Sequence, residues 1–119
     1  MSFHWAEYLE LARFLERQAD GVSREAALRC AVSRAYYAAF CHARNYARDR
    51  LSFRPRGDGS DHGRVREHLR NTRFRRVCLK LNDLQQWRSR CDYDDSVENL
   101  PMIAADALRS AQEVILALS

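Results

Sequence analysis

Apolar residues recur at spacings of three and four along nearly the whole chain, and no other feature limits its fold so strongly. The cleanest stripe is Leu100, Ala104, Ala107, Leu108, Ala111, Val114, Ile115 and Leu118, the spacing of a helix that turns one face to a core. Pro101 fits its first turn, where the amide proton it lacks has no helical partner anyway. Near the N-terminus, Trp5, Tyr8, Leu9, Ala12 and Leu15 predict a first amphipathic helix ending near Asp20 and Gly21. Ser23 then suits an N-cap, with Glu25 in the first turn of a second helix. Ala27, Leu28, Ala31, Val32, Ala35, Ala39 and Ala43 carry that helix to about Asp49. Tyr36, Tyr37, Phe40 and Tyr46 widen its apolar arc beyond what one neighbour covers, so it is expected at the centre of the fold.

The period stops across residues 51–61, where Pro55, Gly57, Gly59 and Ser60 lie among charges and predict an exposed, mobile loop. It resumes at His62 and runs through Val65 and Leu69. Asn71 and Thr72 break it before Phe74, Val77, Cys78, Leu81, Leu84 and Trp87 take it up again. An acidic turn over residues 92–95 ends that helix. No strand-like alternation, internal repeat or low-complexity segment competes. With 119 residues there is chain for one core, so residues 1–119 read as one all-α domain, an up-and-down bundle of four to five helices.

Several functional classes find no support in the residues. Residues 1–10 mix Trp5, Tyr8 and Leu9 with His4, Glu7 and Glu10, which is not a signal peptide. A charge interrupts every apolar run before the roughly 20 residues of a membrane span. Cys30, Cys41, Cys78 and Cys91 stand singly, form no CxxC pair and read as reduced, buried thiols of a cytoplasmic protein. No metal site or cofactor is expected from that spacing. There is no Gly-rich phosphate loop, no GxSxG and no HExxH.

Charge is the most suggestive feature. The net value is +4, yet residues 44–76 alone hold eleven arginines against Asp49, Asp58, Asp61 and Glu67, a local balance of +7. Arginine forks onto phosphate and stacks on bases, so such a block suits RNA. It equally suits solvated helix faces in a chain whose only lysine is Lys80.

Two further constellations stand out: Ser33, Arg34, Tyr36, Tyr37, Phe40, Cys41 and His42 on the central helix, and Trp87, Arg88, Arg90, Asp92 and Tyr93 at the end of the fourth. Their plain readings are structural. Tyr36, Tyr37 and Phe40 at helical spacing suit a core. Arg34 is expected to pair with a buried or interfacial acid, and Arg88 with Asp92 at i,i+4. His42 is expected as a hydrogen-bonded core or rim group, and His62 as a capping group at a helix start.

The run SRAYYAAFCHA, then DHGRV after a loop, then a leucine-spaced helix ending RSRCDYDD and a last amphipathic helix resembles the HEPN domain family, the nucleotide-binding-type helical domain of higher eukaryotes and prokaryotes. The resemblance covers about residues 23–118. It implies a helical bundle that dimerises, works beside a small nucleotidyltransferase or in a toxin-antitoxin or defence module, and in active branches cuts RNA without metal. Those branches are similar in carrying an arginine, four to six residues, then a histidine, the pair from two subunits organising the ribose 2′-hydroxyl and the scissile phosphate.

This chain departs from that pattern, because Arg88 and Arg90 are followed by Asp92 and Tyr93 and no histidine. Arg56 and His62 match the spacing formally, but in a loop with no helix to fix them. The leading expectation is therefore a non-catalytic HEPN-type module: a homodimer that docks a nucleotidyltransferase and holds RNA or nucleotide through Arg34, Tyr37, Arg44, Arg48, Arg88, Arg90, Asp92 and Tyr93. One alternative is a metal-independent ribonuclease toxin using Arg56 or Arg88 with His42 or His62. Another is a structural adaptor whose basic face is incidental.

Overall fold

The structure, a computed structural model, describes residues 2–17 and 21–119. Five helices follow in order: α1 Glu7–Arg17, α2 Arg24–Arg50, α3 Asp61–Arg70, α4 Arg75–Tyr93 and α5 Leu100–Ala117. The expected all-α bundle is what forms, with no strand among the described residues. The first helix is described as far as Arg17, and its predicted end near Asp20 lies outside the described residues. None of these helices is long and apolar enough to cross a membrane.

Ser23 caps α2 as its sequence position predicts, in extended conformation with its hydroxyl accepting from the amide of Ala26 at 3.3 Å. The alanine stripe gives α2 a small cross-section, and α2 packs against all four other helices. Its buried residues include Ala31, Val32, Ala35, Tyr36, Ala38, Ala39 and Ala43. Val65 and Leu69 of α3, Leu81 and Leu84 of α4, and Ala104, Ala107, Ala111 and Val114 of α5 complete one core. Each buried leucine or valine contributes about 1.5–3 kcal/mol relative to exposure.

Arg29 closes the far end of the bundle. One of its guanidinium nitrogens donates to the carbonyls of Cys91 and Asp94 at 3.0 and 2.6 Å, another to Asp95 at 3.2 Å, and its Nε to Glu25 at 3.1 Å. It thereby satisfies carbonyls that the end of α4 leaves without helical partners.

The segment between α2 and α3 differs from the exposed loop expected of it. Phe53 is buried within it, and His68 Nε2 is hydrogen-bonded to the carbonyl of Leu51 at 2.6 Å. Asp61, also buried, accepts from the amides of Arg56 and Gly57 at 2.9 and 2.8 Å and from Arg64 at 2.8 Å. Gly57 has φ +81°, a left-handed conformation that lets the chain bring two successive amides to one carboxylate. The loop is thus latched at both ends.

The cysteines also divide. Cys41 and Cys91 are buried, Cys78 is half-buried, and Cys30 is exposed, contrary to expectation. Cys30 follows Ala26 by one turn on a face of α2 that no neighbour covers, since Ala26 is exposed as well.

Candidate functional site

Latching the loop places His62 in the first turn of α3, with its ring against the middle of α2. The ring stacks on Phe40 with centroids 4.2 Å apart and planes 7° from parallel, and lies parallel to Tyr36 at 5.6 Å. Its Nδ1 is hydrogen-bonded to the Tyr36 hydroxyl. His62 is therefore not a capping group. The Ser60 side chain makes no cap bond either, and Asp61 is occupied by the loop amides.

The electrostatics follow from what surrounds the pair. Burial pushes the Tyr36 hydroxyl well above its ordinary value, so the phenol stays protonated. Burial, and then the positive charges of Arg88 and Arg66, hold the His62 imidazole below its ordinary value of 6.5. At neutral pH the two rings form a neutral pair among cations. Arg66 donates to the carbonyl of His62 at 3.1 Å and is also bonded to Gln85, tying α3 to α4.

Arg88 reaches the same spot from α4. Its guanidinium lies 5.4 Å from the Tyr36 ring centre and 5.7 Å from that of Tyr37, and meets Asp92 at 3.4 Å, the i,i+4 pair expected. Asp92 also accepts from Ser33 at 3.4 Å. The Nε of Arg88 is buried without a hydrogen-bond partner among the described residues.

In front of His62 opens a cleft of about 450 Å³, walled by Trp5 and Tyr8, by Arg34, Tyr37, Phe40, Cys41 and Arg44 of α2, and by the latched loop through Gly57, Asp58, Asp61 and His62. Of its two acids, Asp61 is paired with Arg64 and bonded to the loop amides, while Asp58 keeps its charge and is bonded to the amide of Ser60 at 2.9 Å. Arg34 was expected to meet an acid. Instead its guanidinium lies 5.1 Å from the ring centre of Tyr8 and 5.5 Å from that of Tyr37. Arg44 stands over Trp5 at 5.7 Å and, among the described residues, bonds only Asn45. Arg34 and Arg44, neither in an ion pair among the described residues, therefore face one cavity with the rings of Trp5, Tyr8, Tyr37 and Phe40, and Asp58 at its loop edge.

Arg34, Tyr37, Arg44 and His62 thus meet at this cleft, with Arg88 against the ring of Tyr37 and Asp92 bonded to Arg88. The other candidates lie elsewhere. Arg48 pairs with Asp49 at 2.8 Å on the exposed end of α2. Arg90 and Tyr93 are exposed at the end of α4. The amide of Arg56 binds Asp61, while its side chain is exposed. His42 is hydrogen-bonded to the carbonyl of Leu118 at 2.8 Å, a rim group as expected. Trp5, Tyr8 and Arg66 belong to the site and were not singled out as its parts. The aromatic spacing of Trp5 and Tyr8 was visible, but as a core pattern.

Comparison of the chain with protein-family models, with curated proteins and with solved structures finds no match.

Proposed function

We propose that this chain is a HEPN-type helical module that holds RNA or a nucleotide in the cleft before His62, acting as a homodimer beside a partner such as a nucleotidyltransferase. The observation that carries the reading is the pairing of Arg34 and Arg44, neither in an ion pair among the described residues, with the rings of Trp5, Tyr8 and Tyr37 around one cavity. A nucleotide offers what such a wall lacks: a phosphate for the guanidinium groups and a base for the rings.

Fluorescence anisotropy with labelled adenosine monophosphate and a short labelled single-stranded RNA, in EDTA, tests it. Arg44→Ala and Tyr37→Ala should each weaken binding about tenfold or more, since a stacked base is worth about 1–3 kcal/mol. Unchanged affinity in both variants would remove the cleft as the binding site.

A second reading, a metal-independent ribonuclease, is favoured by one observation. His62 is an imidazole kept neutral beside Arg88 and Arg66, and in the tautomer whose Nδ1–H donates to the Tyr36 hydroxyl its Nε2 is left to accept a proton. The same incubation reads it. RNA shortening in EDTA that disappears in His62→Ala would make the module an enzyme, and intact RNA would leave it a binder.

A further inference from the structure

A second basic groove lies on the other side of His62, between α3 and α4. It encloses about 370 Å³ and is lined by Gly63, Arg66, Arg70, Arg75 and Asn82 among others. Resting on the nucleotide reading above, we propose that this groove takes further phosphates of the same ligand, so that the module binds a single-stranded oligonucleotide running from the cleft along α3 rather than a mononucleotide.

Continuity is the first support. Arg66 lines the groove, donates to the carbonyl of His62, and is one of the charges acting on the His62 ring. It bridges the two cavities. From His62 to Arg70 the helix rises about 12 Å, room for three to four stacked nucleotide steps at about 3.4 Å each.

The commitment of each arginine is the second. On the adjoining face of α3, across Glu67, which lines both hollows, the hollow containing Arg54, Arg64 and His68 is also basic. There Arg64 is used by the protein: it pairs with Asp61 at 2.8 Å, donates to the carbonyl of Arg54 at 3.0 Å and stands over Phe53. In the α3–α4 groove Arg75 has no ion-pair or hydrogen-bond partner among the described residues. Arg70 has only Glu67 at 3.6 Å, with both side chains more than half exposed, a pair worth little. Phosphate binding there displaces almost nothing.

Salt dependence separates the possibilities. Anisotropy is measured between about 50 and 200 mM salt with labelled adenosine monophosphate and a labelled single-stranded hexanucleotide, on the wild type, on Arg70→Ala/Arg75→Ala, and on Arg48→Ala/Arg50→Ala as an equal charge loss elsewhere. Each phosphate contact to a single strand contributes about 0.7 to the slope of log K against log salt. The groove variant should therefore flatten the hexanucleotide slope by about 1.4 and leave the mononucleotide unchanged, while the control variant flattens it by less. Arg70→Lys/Arg75→Lys should keep the slope.

If mononucleotide binds but the hexanucleotide slope is the same in wild type and groove variant, the groove inference fails while the cleft reading stands. Equal flattening by the control variant overturns it in favour of diffuse attraction. If neither ligand binds the wild type, the cleft reading fails and takes this inference with it.

Discussion

Where α2 meets α5, the buried residues are mostly small and apolar: Ala31, Ala35, Ala39 and Ala43 on one helix, Ala104, Ala107 and Ala111 on the other, closed off by Leu81 and Leu84 of α4. Where α2 meets α3 and the loop, the same helix presents Tyr36, Phe40 and Arg34 to a histidine, two guanidinium groups and a cavity. The first region has close apolar contact and leaves nothing to bind. The second buries polar atoms, one of them without a partner, and gathers like charges. Unpaired polar burial costs stability, so the comparison teaches that the apolar side supplies the stability on which the polar cleft draws.

The largest test of that division is Leu84→Ala. It removes a fully buried side chain and should cost about 2–5 kcal/mol, seen as a lower denaturant midpoint, with ligand affinity of the folded fraction unchanged. An affinity change as large as the stability change would mean that the two regions are not separable.

Next in size is Asp61→Ala. It strands the amides of Arg56 and Gly57 and frees Arg64, at a cost of about 1–3 kcal/mol. Because those bonds fix where α3 begins, ligand affinity should fall as well. Retained affinity would show that the latch does not position His62.

The smallest effect is that of pH. The folded imidazole of His62 titrates below its ordinary 6.5, so the unfolded chain takes up its proton first. The stability this group allows is complete above about pH 6.5 and falls as pH drops through that value toward the folded pKa. His62→Asn removes the titrating ring but keeps a hydrogen-bonding partner for the Tyr36 hydroxyl, and should flatten the fall in melting temperature between about pH 7 and 5. Coincident pH profiles for variant and wild type would assign the titration elsewhere.

The helices were legible because their signal is local. Each apolar stripe lies on one element, and three residues, Ser23, Asn71 and Pro101, mark starts and stops within a turn of where they occur. The cleft was legible only in pieces. Arg34, Tyr37, Arg44 and Arg88 were found as arginines and aromatics of unusual density, but His62 looked like a helix-start residue. Its partner Tyr36 lies 26 positions away, beyond any helical spacing. Proline and glycine made residues 51–61 look solvent-loose, and a lone Phe53 and a lone Asp61 carry no period to announce that they anchor the segment. Arg34 was assigned an acid because charge invites charge, whereas the fold surrounds it with rings.

The Arg29 fork has a consequence for how copies of this chain can assemble. Exchange of a terminal helix between two molecules needs a connecting segment able to straighten into a hinge. Here the only segment that could release α5 is the turn after α4, and two of its carbonyls, those of Asp94 and Asp95, are held by a guanidinium rooted in α2. Opening that hinge would strip both charge-assisted hydrogen bonds at once. The bundle is thereby biased against domain swapping through α5.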